Sequence, residues 1–317
     1  MGASGKAATA SDRLIFTGVQ WKAAGFGFVL MVDADSKPSL FPGSFFLRRL
    51  TLNEIICGGD GHDTRDATLL DPGRSIMAVD FLSWIEGVRT PGAVLIVLNQ
   101  PIEHVHIFDK AWEACEYHVV TDGAANHMKS VSQHTKKKYT PDFIVGDFDS
   151  IDAEVREWYV RRGVPFVTDE SVYATDFMKA MEQSHTRFDG AHKTFIAFGA
   201  LGGRVDHTWH SYFCLSVAER RGDRLILASN QSVTLLVPPG RHSFATPPKL
   251  VGETCGYAPL EGFATVATGG FEWDVEDYYV SFTTRLSTSN LLRAAEVWLQ
   301  TDKPLMFTVE IRKTLQN

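Results

Sequence analysis

The sequence predicts an α/β fold, in which an open parallel-sheet domain is followed by a C-terminal β-sandwich of the jelly-roll kind. Three observations predict it. Between residues 91 and 228, short continuous apolar runs alternate with helical patterns, as in a parallel sheet that is buried on both faces. Acidic and glycine-rich motifs directly follow several of these runs. After residue 229, short strands are separated by Pro, Gly and Asp turns, which is typical of a β-sandwich.

Three regions are therefore expected. Residues 1–90 form an N-terminal extension of unknown role with a disordered start, residues 91–228 the α/β domain, and residues 229–317 the β-sandwich. In the extension, Leu14 to Phe16 and Phe26 to Val32 have the composition of strands, and Ser75 to Trp84 has apolar residues at helical spacing. Because these stretches are apolar, we expect the extension to pack on the outside of the α/β domain.

The α/β domain begins with a buried strand over Ala93 to Leu98, and further strands alternate with helices along the chain. Strands are predicted at Tyr117 to Thr121, Phe143 to Val145, Val164 to Thr168, Phe195 to Phe198 and Leu225 to Leu227. Helices are predicted at Asp109 to Cys115, at about Ala153 to Arg162 and at Thr208 to Arg220. Asp122 to Asn126 open another helix, and Thr175-Asp176 cap one that runs through Lys179 to Met181. In the β-sandwich, strands are predicted at Ser232 to Val237, His242 to Ala245, Gly262 to Thr268, Val275 to Phe282 and Leu305 to Ile311.

Composition excludes several classes of protein. Of the 317 residues, 44% are hydrophobic and 22% charged, and the net charge of −7 argues against a nucleic-acid partner. The longest apolar run is far too short to span a bilayer, so no membrane partner is expected. The four cysteines lack C-x-x-C spacing, which favours neither a disulfide framework nor a zinc site. They fit a reducing compartment, and the cytoplasm is the expected location.

The motif at the centre of the chain is Gly146-Asp147-Phe148-Asp149-Ser150, directly after the strand Phe143 to Val145. In an extended backbone, Asp147 and Asp149 would point to one side, and Phe148 would anchor the motif on the other. Two carboxylates aimed at one point repel each other unless a cation lies between them. At the carboxyl end of a strand, a hard cation that binds phosphate is the usual occupant. Taken alone, the D-x-D pattern is more often a simple turn.

Other motifs point to the same chemistry. Asp122, Asp206 and the two acids above come just after predicted strands, and Asp176 begins a helix, so the sheet brings them to one edge. Several carboxylates there would hold one or two magnesium ions. The glycines of Gly199 to Gly203 would let the backbone reach phosphate oxygens. Lys179 and Arg204 are the candidate cations for charge on a transferring phosphoryl group.

The ordered set D-G-A-A-N, G-D-F-D-S, T-D-x-x-K and G-A-L-G-G-R-x-D resembles the thiamin pyrophosphokinase family. The resemblance begins near Val97-Leu98-Asn99-Gln100 and extends to Ile311. It includes Thr268 to Asp274, which is similar to the family's G-L-x-W segment, Ser287 to Asn290, which is similar to its S-T-S-N segment, and the D-x-P-L of Asp302 to Leu305.

The resemblance implies a transfer of the pyrophosphoryl group from ATP to the hydroxyl of thiamin, giving thiamin diphosphate and AMP. It implies a homodimer whose thiamin site lies where the subunits meet. Residues 91–228 would then be the catalytic, nucleotide-binding domain that holds ATP and magnesium, and residues 229–317 the thiamin-binding domain. Magnesium is assigned to Asp147, Asp149 and Asp176, with Asp122 and Asp206 as direct or outer ligands, and Lys179 and Arg204 are assigned to the departing phosphate. The expected ligand-binding residues are Asp122, Gly123, Asn126, Gly202, Gly203, Ser287, Ser289, Asn290 and Trp273.

Some assignments stay open at this point. Trp273 would stack on the flat cationic substrate or pack in the sandwich core. Ser287, Ser289 and Asn290 would hydrogen-bond an aminopyrimidine or simply form a turn. His207, one position after a carboxylate, favours packing or capping, and no general base is identified. Two other functions remain: a pyrophosphokinase or diphosphatase that acts on another alcohol, and a binding module without turnover. A dinucleotide oxidoreductase is disfavoured because no G-x-G-x-x-G follows the first strand.

Overall fold

The computed structural model describes the backbone of residues 15–16, 19–24 and 27–32, and residues 76–171 and 173–312 in full. The chain divides into two units, residues 1–63 and 64–317. In the first unit, strands β1 (Ile15–Phe16), β2 (Val19–Ala24) and β3 (Gly27–Val32) form an antiparallel sheet in that order. The strands predicted near Phe16 and Val32 are confirmed, whereas β2 was not predicted. The expected disordered start lies outside the described residues.

The second unit contains the predicted parallel sheet. Six strands are parallel to their neighbours in the order β10-β9-β5-β6-β7-β8. Their bounds are Thr90–Val97 (β5), Cys115–Thr121 (β6), Phe143–Gly146 (β7), Phe166–Thr168 (β8), Thr194–Phe198 (β9) and Arg224–Ala228 (β10). Each coincides with a predicted strand to within a few residues, because a continuous apolar run of this length fits a strand buried on both faces.

Five helices connect these strands and cover both faces of the sheet. They are α1 (Val105–Ala114), α2 (Ala124–Thr135), α3 (Ala153–Val160), α4 (Asp176–Arg187) and α5 (Val205–Arg221). Alternate residues of β5 enter two different cores, with Leu95 in the core beneath α1 to α3 and Ile96 in the core beneath α4 and α5. The helices therefore leave the carboxyl ends of the strands, where the motifs lie, accessible at one edge. No helix among the described residues is long and apolar enough to cross a membrane.

The sheet continues without interruption past residue 228. Strand β11 (Ser232–Val237) pairs antiparallel with β10, and the sheet then continues through β18 (Leu305–Ile311), β13 (Val251–Pro259) and β16 (Ser287–Leu291). One ten-stranded sheet thus serves both the α/β part and the β-rich part. The division expected between residues 228 and 229 runs through this shared sheet.

A second sheet packs against the antiparallel part of the first and completes the sandwich. Its order is β15 (Tyr278–Ser281), β14 (Phe263–Gly269), β17 (Glu296–Thr301), β12 (Gly240–Ala245) and β4 (Met77–Ala78). The rings of Phe244 and Phe307, one from each sheet, lie 5.0 Å apart between their centroids. The predicted combination of an α/β domain with a β-sandwich is therefore confirmed.

Residues 76–90 differ from expectation in two ways. The helix predicted over Ser75 to Trp84 is wrong. Strand β4 pairs with β12 instead, and the Asp80 carboxylate accepts hydrogen bonds from the backbone N–H groups of Leu82 and Ser83, which favours a turn over a helix. A 3-10 helix, Ser83–Glu86, follows. The segment also contributes to the main core, where Phe81 contacts Phe244 and Phe307, rather than lying on the outside of the α/β domain.

Strands β13, β16 and β17 were not predicted. Glycine interrupts β13, and Ser, Thr and Asn dominate β16, so neither has the apolar alternation that marks a strand. Their pairing is decided by neighbouring strands that are distant in the sequence, such as β18 for β13.

Candidate active site

The acidic loop that follows β7 carries Asp147 and Asp149 on a tight turn. The extended backbone expected across these residues is wrong, because Phe148 has a φ of 66° and so adopts a left-handed conformation. For a bulky residue this conformation is costly and persists only where the surrounding structure holds it. The turn, rather than the pleat of a strand, brings the two carboxylates together.

The Phe148 ring anchors the turn. It lies edge-to-face against Phe166 of β8, with 5.3 Å between the ring centroids. The guanidinium group of Arg156 from α3 lies 5.3 Å from the centre of the Phe148 ring and 5.4 Å from that of Phe166. The expectation that Phe148 anchors the motif is therefore confirmed, and its partners are β8 and α3.

Asp122 follows β6 on the neighbouring strand and is only 2% exposed. Its Oδ1 accepts a hydrogen bond of 2.6 Å from the backbone N–H of Gly123, and its Oδ2 accepts one of 3.4 Å from that of Ser150. Carboxylate oxygens of Asp122, Asp147 and Asp149 lie within 4.8 Å of one another. Burial raises the pKa of Asp122, and the charges of Asp176 and Asp147 raise it further. This cluster is the group of carboxylates best placed to hold a divalent cation among the described residues.

Helix α4 supplies one acidic and one basic side chain from its first turn. The Thr175 hydroxyl accepts a hydrogen bond of 3.4 Å from the Met178 backbone N–H, so the predicted cap is confirmed. Asp176 then pairs with Lys179, whose Nζ lies 3.1 Å from the carboxylate and whose side chain is 4% exposed. A lysine this buried in a cavity wall provides a positive charge that can bind an anionic group.

A cavity of about 500 Å³ lies at this edge of the sheet. It joins the acidic turn, the start of α4, the glycine loop after β9 and the start of α5. The predicted residues that line it are Asp147, Asp149, Asp176, Lys179 and Gly202. The expectation that strand ends would bring distant motifs together therefore agrees with the observed geometry.

The cavity is also lined by residues that were not predicted as site residues, among them Asn99, Gln100, His207 and His210. Asn99 and Gln100 come just after β5, with only Leu98 between, so the rule that located the acids would also have located them. His207 had been expected to pack or cap, and the structure places it in the cavity wall. His210 lies one helical turn further along α5, where its ring nitrogen is 3.2 Å from the Thr175 hydroxyl. Burial lowers the pKa of His210, as does the neighbouring His207.

Arg204 and Asp206 lie apart from this set. They form an ion pair at the start of α5, with 2.6 Å between Nη2 and Oδ2, and their side chains are 71% and 54% exposed. Neither residue, nor Gly203, contributes to the lining of the cavity, and Asp206 is outside the carboxylate cluster. Their assigned roles remain predictions, which would require this exposed pair to reorganise.

Asn126 and Gly123 contact other residues of the site. The Asn126 side chain donates to the Ser150 carbonyl at 2.9 Å and accepts from the Asp152 backbone N–H at 3.1 Å. The NH₂ group and the oxygen of its carboxamide are thus both hydrogen-bonded to the acidic loop. Gly123 lies against the Asn99 carboxamide, which would be 2.3 Å from an added β-carbon. In this structure, both residues position other parts of the site.

A second cavity, of about 650 Å³, contains the S-T-S-N segment. Ser287 and Ser289 line it together with residues of β13 and β18. Ser211 lines the first cavity and the next residue, Tyr212, lines the second, so the two cavities adjoin at α5.

Asn290 and Trp273 do not line the second cavity. Asn290 is buried, and its carboxamide is bonded to the backbone N–H and carbonyl of Trp273 at 3.2 and 3.1 Å. The Trp273 side chain is 57% exposed, so it is not part of the sandwich core. Asn290 therefore fixes the segment that presents an exposed indole.

Comparison with known proteins agrees with these features. The family model described as "Thiamin pyrophosphokinase, catalytic domain" matches residues 108–227, and "Thiamin pyrophosphokinase, vitamin B1 binding domain" matches residues 241–306. Thiamine pyrophosphokinase 1 of Arabidopsis thaliana is 31% identical over 237 residues, which cover 69% of this chain and 86% of that protein. Thiamine pyrophosphokinase 2 of the same plant is 32% identical, with the same coverage.

Among solved structures, the yeast thiamin pyrophosphokinase has a TM-score of 0.70 to this chain at 22% identity. The similarity covers 76% of this chain and 93% of the yeast chain. At this level of identity, it is the fold that the two proteins share. Together with the matches to both domain models and to the Arabidopsis proteins, these findings show that the chain belongs to the thiamin pyrophosphokinase family.

Proposed function

We propose that this protein is a thiamin pyrophosphokinase that uses ATP and magnesium and transfers the pyrophosphoryl group to the thiamin hydroxyl. In this reaction the hydroxyl oxygen forms a bond to the β-phosphorus of ATP, the bond from that phosphorus to the oxygen bridging to the α-phosphorus breaks, and AMP leaves. The hydroxyl proton passes to solvent, and thiamin diphosphate is the product. The observation that carries the proposal is the carboxylate cluster beside buried Lys179 at the carboxyl ends of parallel strands.

The cluster fits a magnesium ion. Its donors are all carboxylate oxygens, which magnesium prefers, and they lie within 4.8 Å of one another. Burial and the charges of Asp176 and Asp147 raise the pKa of Asp122, and a bound cation would favour the charged form of this carboxylate. Asp122, Asp147 and Asp149 would hold the ion, with Asp176 close by. A bound magnesium ion would offset charge on the phosphate oxygens of ATP.

The protein's own side chains would bind and orient the substrates. Lys179 would interact with the phosphate of departing AMP, and Asp176 holds its ammonium group in place at 3.1 Å. The turn at Phe148 would fix the two exposed carboxylates so that little reorganisation is needed when substrate arrives. Arg204 is a further candidate for the leaving phosphate once it is released from Asp206. Positioning and charge supply most of the catalysis in phosphoryl transfer.

Thiamin is proposed to bind at the boundary between two subunits of a homodimer. The second cavity offers the hydroxyls of Ser287 and Ser289, and Trp273 presents an exposed indole that can stack on a cationic ring. A large exposed aromatic surface supports the dimer. Trp209, Phe213 and Phe282 are 68%, 49% and 61% exposed and line one groove. Apolar patches of this kind mark interaction sites.

A cytoplasmic location is also proposed. It is supported by the cysteines, since Cys115, Cys214 and Cys255 are buried as free thiols. Burial raises the pKa of each to about 12, which keeps them protonated and unreactive.

The deciding experiment is incubation of the full-length protein with ATP, magnesium and thiamin, followed by separation of the nucleotides. We expect AMP and thiamin diphosphate in equal amounts and no ADP. Accumulation of ADP would indicate a different transfer. AMP that appears only with another alcohol would identify a different acceptor, and binding of both substrates without any product would identify a binding module.

The dimer is tested by light scattering on the purified protein. We expect twice the monomer mass, and we expect the charge introduced by Trp209→Glu to shift the protein toward monomer. Because the thiamin site would then be incomplete, the KM for thiamin should rise. A wild-type protein that is monomeric and fully active would exclude the interfacial site.

A further inference from the structure

Asn99 and Gln100 follow β5, which lies between β6 and β9 in the parallel sheet. Both residues line the first cavity, where Asn99 is exposed and Gln100 is half-buried. Two consecutive carboxamides thus lie at the carboxyl end of an inner strand, which is where ligands bind in sheets of this type.

Neither carboxamide forms a hydrogen bond within the part of the chain that the structure describes, although Gln100 uses its backbone N–H in a bond to Leu98. Other carboxamides near the same edge behave differently. The Asn126 side chain is bonded to the acidic loop, and the Asn230 side chain is bonded to the Pro101 carbonyl and the Glu103 N–H. The Asn99 and Gln100 side chains therefore keep their full capacity for a ligand.

Two glycines make room for these side chains. A β-carbon on Gly123 would lie 2.3 Å from a terminal atom of the Asn99 carboxamide, and one on Gly203 would lie 2.2 Å from a terminal atom of the Gln100 carboxamide. Contacts this short do not occur between non-bonded atoms. The glycines of the D-G-A-A-N and G-G-R motifs thus leave the space that these carboxamides occupy at the cavity.

We propose that Asn99 and Gln100 donate hydrogen bonds to phosphate oxygens of the nucleotide substrate. The inference rests on the proposed function, since it takes ATP as the ligand of this cavity. Asn99 borders Gly123 and hence the carboxylate cluster, whereas Gln100 borders the glycine loop. A phosphate chain held by a cation at the cluster and by Lys179 would pass both amides. Carboxamides do not titrate near neutral pH, so their contribution is to binding and orientation rather than to proton transfer.

The test is calorimetric and does not depend on turnover. The full-length wild type, Asn99→Ala and Gln100→Ala are titrated with magnesium and α,β-methylene-ATP, whose methylene bridge prevents transfer. They are then titrated with magnesium tripolyphosphate, which has no base or ribose. We expect each variant to bind both probes about tenfold more weakly, which is the usual effect of losing one hydrogen bond to a charged group. Thiamin affinity should stay within about twofold of the wild-type value.

A control and a second variant separate binding from folding. Gln183→Ala removes a carboxamide on α4 that is bonded to Arg187 and does not line the cavity, so probe affinity should be unchanged. Gly123→Ala should displace the Asn99 side chain and weaken the probes as Asn99→Ala does. Because both changes act through one side chain, their effects should not add in the double variant.

The outcomes are distinct. Wild-type affinity of the Asn99 and Gln100 variants for both probes would overturn the inference, as would a loss confined to thiamin or to the nucleoside part of the analogue. If the wild-type protein forms no thiamin diphosphate but the variants still lose tripolyphosphate binding, the proposed function fails while the phosphate contacts stand.

Discussion

The carboxyl group of Asp122 occupies the space that a side chain on Gly146 would need. A β-carbon on Gly146 would lie 2.8 Å from Cγ and 3.0 Å from Cβ of Asp122. Strands β6 and β7 are neighbours, so this close approach fixes how near the buried acid lies to the turn that carries Asp147 and Asp149. The glycine is therefore part of the geometry of the carboxylate cluster.

Replacing Gly146 with alanine should displace Asp122 and spread the cluster. We expect a loss of about 1–3 kcal/mol in the free energy of unfolding, as for overpacking in a buried site, together with weaker magnesium binding. Urea denaturation and a magnesium titration measure the two effects. In an Asp122→Gly background the added methyl group has no carboxyl to meet, so the same substitution should cost less. Equal costs in both backgrounds would contradict the steric explanation.

Asp147→Asn should separate catalysis from stability. If Asp147 binds magnesium, turnover should fall at least about a hundredfold, comparable to the loss of a key electrostatic contact. The melting temperature should be unchanged or higher, because one charge is removed from a group of carboxylates. Asp152→Asn, at the exposed start of α3, is the matched control in the same loop. Near-normal turnover of Asp147→Asn would rule out the assignment.

Phe148 should act on the proposed magnesium site through the backbone. Phe148→Ala removes the ring from Phe166 and Arg156 while the left-handed conformation is still required, so we expect a loss of about 2 kcal/mol in stability and weaker magnesium binding. Phe148→Gly favours that conformation but also lacks the anchor. If the ring is what positions the carboxylates, both variants should need more magnesium for half-maximal activity. Restoration of wild-type magnesium dependence by glycine would show that backbone conformation alone suffices.

Phe81→Ala tests whether the segment before residue 90 belongs to the core. The side chain is 1% exposed and contacts Phe244 and Phe307, which lie in different sheets of the sandwich. We expect a loss of about 3–5 kcal/mol, the usual range for a buried phenylalanine. Val88→Ala, at an exposed position in the same segment, should have little effect. A change of less than about 1 kcal/mol in Phe81→Ala would support the packing on the outside of the α/β domain that was first expected from the sequence.

Histidines that are buried or half-buried should make the protein less stable in mild acid. Burial lowers the pKa of His118, whose ring stacks on Trp112 at 3.9 Å, and it also lowers the pKa of His127, His210 and His242. The unfolded chain then binds protons more tightly than the folded one. The stabilisation is complete above the unfolded value of 6.5 and declines as pH falls toward the lowered folded values.

The measurement is the free energy of unfolding at about pH 7.5 and about pH 5.5, on either side of the ordinary histidine pKa. His118→Gln should reduce the difference between the two values, because the substituted side chain takes up no proton in either state. The exposed His134→Gln is the control. A wild-type stability that rises toward the lower pH would contradict the prediction.

The sequence by itself determined the main elements and the shared location of most site residues. Strands β11 and β18 have the bounds that were predicted, because apolar residues and turn formers mark both ends. The acids of the cluster were expected to meet because each follows a parallel strand, and the carboxyl ends of such strands lie at one edge. Both predictions rest on information that a single sequence provides: the local pattern of residues defines the strands, and a general rule for parallel sheets places their carboxyl ends together.

Only the tertiary structure decided the contacts between distant segments. The left-handed turn at Phe148 depends on Phe166 and Arg156, and the pairing of Met77–Ala78 with β12 depends on a strand more than 160 residues away. Likewise, Arg204 pairs with Asp206 instead of entering the cavity, while Asn99 and Gln100 enter it because Gly123 and Gly203 leave space. A local sequence pattern does not show which distant residues will contact a given side chain. These contacts are therefore determined by tertiary packing when the chain folds.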